Sequence, residues 1–544
     1  MGTLLSVPDE IIIRILLLVS AKDIQRYRRI CRQLHEVVDS TAKLQYLVEL
    51  DHLGYVEPTR PRRDLTYDQK AKLLREHRLR GASPSHTFTL ETIFPSKREN
   101  TKHQNYTTLR DGVYVEGFGS QLGGSNRYLK LYQLPSWNRG TELNKWELRL
   151  AVDTVHVDLN FDLNLLCLVE EQGAGRNDPT VFHVHLRTLN SNDAHPRATF
   201  PKLSWRANQG SYSHICAWKM SSHIVGNLLG TLFSHRRSMM NYLIVWDWPS
   251  GSKLLHLDNM GYAPGSFTIL DNKYVVSNRP IDMHGDPAVG YLDVYRLDGL
   301  DERPPPTVTL SLPLLESYNE HSRTYFHASP SSSIASTRLE NSPYQPSPKL
   351  YEVGADTGHL CLLRSIYAGN GWLAIPSSTI LDVVRECETK ALPGATMISW
   401  ELWGERTSWF YGGSEERPPS AALCSGLRTI VGAQPNRRDN RIFIHDFSSR
   451  AVQSSRRSTE SGHEVVPGIC FPREAELKAL DQRSGRAPRV AELARHIFFR
   501  HEPLANQPFC TSRLGRRRDS ELTMMQGEHI VDVIKQGKVI VFCF

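Results

Sequence analysis

Between Tyr128 and Phe447 the chain repeats one local pattern: a short apolar run ends at a polar turn and leads into a second short run. Tyr128-Leu129-Lys130-Leu131-Tyr132 passes into Lys145-Trp146-Glu147-Leu148, and Val181 to Leu186 into Ala198-Thr199-Phe200. Tyr242 to Asp247 turns at Pro249-Ser250-Gly251 into Leu254 to Leu257, and Tyr291 to Tyr295 leads into Val308-Thr309-Leu310. Lys349 to Val353 turns at Asp356-Thr357-Gly358 into Leu360 to Leu363, and Ile398 to Trp403 and Arg441 to Phe447 continue the series. Strand centres set at Leu131, Val184, Val245, Val294, Tyr351, Glu401 and Phe443 are separated by 53, 61, 49, 57, 50 and 42 residues. Propeller blades run roughly 40 to 50 residues. The spacing therefore predicts an all-β propeller of about seven blades, six to eight being compatible, with loop insertions.

Trp246-Asp247 resembles the dipeptide that WD repeats place at the end of this strand. The corresponding pairs elsewhere are Tyr-Gln, Leu-Arg, Tyr-Arg, Val-Gly and His-Asp, so the resemblance is to a degenerate repeat. Two stretches depart from it: a Ser- and Pro-rich segment at about 329–348, and 471–519, where Val490, Leu493, Ile497 and Phe498 have helical spacing. Glu528 to Val533 and Lys538 to Phe542, joined at Gly537, predict a closing hairpin that removes the open sheet edge. Residues 87–544 are read as this domain.

The first eighty residues are of another kind. Pro8-Asp9-Glu10 opens a helix in which proline is tolerated and acidic side chains favour the positive end of the dipole. From Ile11 to Val19 only Arg14 interrupts the apolar residues, and a helix apolar all round needs partners on more than one side. A second helix from Lys22-Asp23 would carry Ile24, Tyr27, Ile30, Cys31 and Leu34 at helical spacing. Thr41 to Leu53 reads as another helix stopped by Gly54, Pro58 to Arg63 as a stiff basic linker, and Thr66 to Arg80 as a helix closed by Gly81. A segment this short cannot enclose its own core, so something must cover part of it.

Val7-Pro8-Asp9-Glu10-Ile11, Ile15-Leu16, Asp23-Ile24 and Arg29-Ile30-Cys31-Arg32 resemble the F-box, the helical module that joins substrate receptors to cullin-RING ubiquitin ligases. Leu34 stands where family members often carry Trp, and Val7 where they carry Leu. The continuation Leu44 to Leu50 is similar to F-box proteins of mushroom-forming fungi. The resemblance implies an F-box at 1–55 and a helical linker at 56–86. It also implies that Val7, Pro8, Ile11, Ile15, Leu16, Ile24, Ile30, Cys31 and Leu34 face or support a Skp-type adaptor. Through the adaptor the chain would meet cullin and RING subunits and present an unknown protein substrate from the propeller. It would be a non-catalytic subunit. A non-ligase F-box scaffold is the alternative.

The remaining features exclude rather than add. The net charge of +7 is spread thinly over 544 residues and singles out no nucleic-acid partner. Its local excesses, Arg60 to Arg63 and Arg513 to Arg518, read as solvated loops. Nine cysteines without a Cys-x-x-Cys pair favour a reducing compartment, hence the cytoplasm or nucleus. The apolar run Ile11 to Val19 is far below the ~20 residues a bilayer needs, so no membrane partner is expected. Met1-Gly2 fits a loose myristoylation pattern, and Asn105-Tyr106-Thr107 a glycosylation sequon in form only. No phosphate loop or nucleophile elbow is present and no cofactor is expected. His183 and His185 share a sheet face, with His156 or Asp158 as a conceivable third metal ligand, but a hydrogen-bonded pair is the plainer reading. Trp400, Trp403, Trp409, Phe410 and Tyr411 read as blade core, or as a substrate-contacting rim.

Overall fold

The computed structural model describes residues 7–58, 60–82, 88–90, 104–110, 112–119, 126–172, 179–210, 218–235, 240–258, 266–279, 290–297, 304–312, 324–328, 348–353, 360–365, 371–390, 396–411, 424–425, 428–432, 441–447, 463–466, 469–470, 509–516, 520–526, 529–534 and 539–543. Five helices come first: α1 Asp9–Leu16, α2 Ala21–Tyr27, α3 Arg32–Ser40, α4 Ala42–Leu53 and α5 Tyr67–Ala82. Pro8 is the cap of α1 rather than its first residue, and Asp9 and Glu10 fill the first turn. Ser20 caps α2 by accepting a hydrogen bond from the Asp23 amide at 3.2 Å. That cap starts the helix ahead of the expected Lys22-Asp23. The single helix expected from Lys22 through Leu34 is broken at Arg28–Cys31 into α2 and α3. The break turns Leu34 into the core and leaves Ile30 outside. Gly54 ends α4 in the left-handed conformation, φ 77°, as glycine allows without a Cβ penalty. Thr66 and Gln69 cap α5 reciprocally, and the helix runs through Gly81 to Ala82.

From residue 88 onward the fold is a β-propeller built of antiparallel meanders. Gln104–Arg110, Val113–Gly119, Asn126–Gln133, Asn144–Asn160, Leu165–Gln172, Pro179–Thr188 and Lys202–Gly210 form one seven-stranded sheet. Its long middle strand pairs with Asn126–Gln133 mainly through Asn144 to Arg149 and with Leu165–Gln172 through Thr154 to Asn160, so it serves two meanders. Next come Trp218–Val225, Leu228–His235, Asn241–Asp247 and Ser252–Leu257. Phe267–Leu270, Tyr274–Arg279, Tyr291–Arg296 and Val308–Ser311 follow, extended by Thr396–Ile398 in parallel. Thr324–Ala328, Leu360–Ser365, Gly371–Pro376 and Ser408–Tyr411 make another meander, and Cys424–Ser425, Arg428–Gly432, Arg441–Asp446 and Phe509–Arg516 another. Ser520–Gln526, His529–Ile534 and Val539–Cys543 finish the chain, with Phe88–Leu90 added as the fourth strand. The closing hairpin thus pairs as expected, and a strand from the start of the domain completes its sheet. Gln104–Arg110 lies against Ser520–Gln526, which joins the last sheet to the first.

Neighbouring sheets pack through apolar side chains: Phe182 and Trp205 of one face Trp218, Phe233 and Tyr242 of the next. At the end of its strand Trp246 is buried, and the Asp247 carboxylate accepts from the Ser250 amide at 3.2 Å to hold the turn. Leu131, Val184, Val245, Val294 and Phe443 all occupy the third strand of a four-stranded meander. Two expected centres do not. Glu401 lies in a short helix, α7 Trp400–Trp403, and Tyr351 precedes a two-residue strand, Glu352–Val353, that pairs outside the propeller sheets. The third strand between them is Gly371–Pro376. A further helix, α6 Ser377–Thr389, was not expected. Its Ile380, Val384 and Cys387 are buried at helical spacing in the run Ser377 to Thr389, which β-branched residues make strand-like. Arg513 to Arg516 of the basic run belongs to a strand, not a loop. The helical stretch at 490–498, most of the Ser/Pro segment and residues 1–6 lie outside the described residues.

Candidate functional site

The N-terminal helices enclose a small core of Ile12, Leu16, Ile24, Leu34, Val37, Val38, Leu44 and Val48. This separates the nine residues named above into three groups. Leu16, Ile24 and Leu34 are buried in that core, Val7 and Cys31 are half-buried, and Pro8, Ile11, Ile15 and Ile30 are exposed. Ile11 and Ile15 are each 42% exposed and Leu18 is 88% exposed. Their spacing of four and three residues puts them on one stripe along α1 and the turn after it. Tyr27 at the end of α2 and Ile30 in the following turn are also exposed. Half of the large exposed apolar residues of the described chain therefore fall between Ile11 and Ile30. Sequence reasoning missed Leu18 and Tyr27. The signal for Leu18 was its position seven residues after Ile11. The turn that carries Ile30 is held by Arg28, which donates to Asp39 of α3 at 2.8 Å. Gln33 of α3 also donates to Asp9 of α1 at 3.4 Å.

The opposite side of the helices is closed by the propeller. Tyr46 of α4 donates to the Leu350 carbonyl at 2.6 Å, and Leu350 and Tyr351 are buried with Leu50, Ala71 and Leu74. Tyr55 and Val56 pair with Val353 and Glu352, and the Lys349 amide donates to the Arg60 carbonyl at 2.9 Å. Tyr351 stacks on Tyr55 at 3.8 Å, with His77 and Trp137 beside them. Asn138 accepts from the amides of both Leu350 and Tyr351. Beneath this, Asp162 receives Lys349 and Arg139, each at 2.7 Å. Burial alone would raise the Asp162 carboxyl, but the Arg139 guanidinium and Lys349 ammonium hold it well below the usual carboxylate range.

The other candidates have structural roles. His183 bonds to Ser204 at 2.8 Å and Gln172 at 2.9 Å, and His185 bonds to Glu170 at 2.9 Å. Asp158 pairs with Arg110 at 3.3 Å, and desolvation, then Arg110, lowers His156 to about 4. Among the described residues no group of three or more His, Cys, Asp or Glu is placed to hold a metal ion. Trp400, Trp403 and Trp409 are buried, and the Trp403 indole donates to the Ser311 carbonyl at 3.2 Å, so these side chains pack rather than form a rim. The side chains of Phe410 and Tyr411 lie outside the described residues. No helix among the described residues is long and apolar enough to cross a membrane.

Residues 4–46 match the F-box domain. The chain carries an F-box at its start, followed by a β-propeller. No curated protein matches it. Among solved structures it is similar to BamB from Moraxella catarrhalis, at 9% identity over 81% of this chain and 97% of that one, with a TM-score of 0.32. It is also similar to the β-propeller domain of the Trilobed protease from Pyrococcus furiosus, at 7% identity over 63% and 88%, TM-score 0.26. The computationally designed Ika8 protein is matched at 9% identity over 81% and 96%, TM-score 0.32. The fold assignment rests on the chain's own strand pairing.

Proposed function

We propose that the chain is the substrate receptor of an SCF-type cullin-RING ubiquitin ligase, binding a Skp-type adaptor through residues 1–55 and a protein substrate through a propeller of seven blades at 87–544. The exposed stripe of Ile11, Ile15 and Leu18, flanked by Tyr27 and Ile30, carries this reading. Apolar residues concentrated on one face of a small helical unit are stabilised by a partner that removes them from water, at about 25 cal/mol per Å2 of apolar surface. Pro8 belongs to the contact face, with Val7 and Cys31 at its margin, while Leu16, Ile24 and Leu34 shape it from below. A count of about seven blades is supported by dividing the seven-stranded sheet at its shared strand Asn144–Asn160.

The mechanism is proximity. The adaptor, cullin and RING subunits hold a charged conjugating enzyme near the bound substrate, so its lysines meet a high local concentration of thioester. No residue of this chain touches the reacting atoms. The contacts of Tyr55, Val56, Arg60 and Arg62 with Lys349 to Val353 support a fixed orientation of the helices against the propeller. Such an assembly works in the cytoplasm or nucleus.

The test is co-purification of the intact chain with a Skp-type adaptor, beside an Ile15→Asp variant. Burying an unpaired carboxylate in an apolar contact costs several kcal/mol, so the variant loses binding of micromolar affinity or better. A folded wild-type chain that fails to bind overturns the reading. Ubiquitin transfer by the reconstituted complex then separates a ligase receptor from a scaffold.

A further inference from the structure

Outside the N-terminal helices, the most exposed large apolar side chains of the described residues are Leu402, at 75%, and Met397, at 64%. Both belong to the stretch between α6 and the strand Ser408–Tyr411. Met397 sits in Thr396–Ile398, the outermost strand of its sheet. In α7, Trp400 and Trp403 turn inward at a spacing of three, which leaves Leu402 and Glu401 outside. Glu405 is exposed just beyond and has no ion pair among the described residues. Residues 377–407 carry five carboxylates against three cations, and two of the five, Glu401 and Glu405, flank Leu402. The other three have cations beside them: Asp382 meets Arg385 and Arg406, Glu386 meets Lys390, and Glu388 meets Arg296 and Lys273. The rim at α7 is therefore apolar and acidic together.

One stretch of the chain suits this rim in pattern, charge and reach. Residues 471–508 lie outside the described residues, and they leave from Ile469–Cys470, which pairs with Trp409 and Phe410. Within them Val490, Leu493, Ile497 and Phe498 have helical spacing behind Pro488, a residue suited to a helix start. Arg489, Arg495 and Arg500 outnumber the single carboxylate of that stretch, Glu492. α7 ends six positions before Trp409, the partner of Ile469, so it lies within about 30 Å of Cys470. The twenty residues from Cys470 to Val490 can span about twice that distance. We propose that 489–500 docks on this rim as an amphipathic helix, its apolar stripe over Met397 and Leu402 and its arginines beside Glu401 and Glu405. Docking removes both apolar surfaces from water, and the opposite charges at their borders fix the orientation. The docked segment takes the rim out of the surface open to other proteins.

Hydrogen exchange read by mass spectrometry on the intact chain tests this. In wild type the amides of 490–498 should exchange about tenfold or more slower than an unstructured segment, and Leu402→Asp should remove that protection. Leu402 is an exposed residue, so exchange in the strand Gly371–Pro376 should not change. The reciprocal variant Leu493→Asp, placed in the segment itself, should raise exchange at 400–403 and leave the propeller strands as they are. Raised salt should weaken the protection, and indifference to salt removes the charge pairing. Fast exchange of 490–498 in wild type overturns the docking. Protection that survives the double variant Met397→Asp/Leu402→Asp overturns it as well, because the segment then lies against another surface. Protection that grows with protein concentration assigns the rim to a second copy of the chain instead.

Discussion

The N-terminal helices have two sides, and the chain finishes only one of them. On the α4–α5 side, Leu350 and Tyr351 come from a segment some three hundred positions away and seal Tyr46, Leu50 and Leu74 from water. On the α1 side, Ile11, Ile15 and Leu18 are exposed, and none of the described residues covers them in this way. The two surfaces arise from the same kind of sequence, apolar residues at helical spacing. They differ in what the fold brings to them. A covered face contributes to the stability of the chain, while an open face of the same composition contributes to association. Substitutions on the two sides should therefore separate cleanly into stability effects and binding effects.

The largest effect tests whether the propeller that covers one side is itself closed by pairing. Removing residues 537–544 takes away Val539–Cys543, which pairs with both His529–Ile534 and Phe88–Leu90. That leaves a two-stranded remnant and two open edges, so the propeller should lose its cooperative melting transition. A soluble truncation that melts like the intact chain would break the closure argument. Next in size is Asp162→Asn. It removes the carboxylate that Arg139 and Lys349 share, and breaking a buried pair from one side costs about 3 to 5 kcal/mol. Faster proteolysis in the 54–66 stretch, with adaptor affinity unchanged, is the expected outcome. Adaptor affinity falling in step with stability would mean that the two sides are not independent.

A pH effect comes third. Burial pushes the imidazole of His445, in Arg441–Asp446, from 6.5 down to about 3. Below pH 6.5 the unfolded chain takes a proton there and the folded chain does not, so stability falls as the solution is acidified. Between pH 7 and pH 5 the group accounts for about 2 kcal/mol, at 1.36 kcal/mol per pH unit below 6.5. Asp162 adds nothing in that window, because a depressed carboxyl loses its contribution only as pH falls through the acid range. Denaturant titrations at the two pH values should show wild type losing more unfolding free energy than His445→Gln by about that amount. Equal pH dependence would remove His445 from the account.

How much of this was legible in the sequence depends on range. Helices α1, α4 and α5 and the third strands at Leu131, Val184, Val245, Val294 and Phe443 were readable because local periodicity and spacing carry them, whereas the break between α2 and α3 was not. Tyr351 and Glu401 misled for one reason: both sit in apolar, aromatic runs at the right interval. Their true settings, a contact with Tyr55 and a helix under Trp409, depend on residues far away. The stripe on α1 was readable as a surplus of apolar residues, but not which of them point outward. Leu16 and Ile15 are neighbours in sequence, yet one is 3% exposed and the other 42%. Only the packing of α3 and α4 against α1 decides between them.

The smallest prediction is also the one that tests the two-sided comparison most directly. Tyr46 is fully buried, and its hydroxyl spends its hydrogen on the Leu350 carbonyl. Tyr46→Phe keeps the ring and its packing but leaves that carbonyl without the donor, which costs about 1 to 2 kcal/mol of stability. Ile15→Ala is its counterpart across α1. The side chain is already 42% exposed, and alanine is the better helix former, so the melt should shift little. Adaptor affinity should nevertheless fall by about tenfold, since removal of the apolar branch forfeits more than 1 kcal/mol of burial in the complex. Tyr46→Phe should show the reverse, a lower melting temperature with an unchanged Kd. If both variants move both quantities, the helical unit transmits strain from one side to the other, and the division between a finished and an open face does not hold.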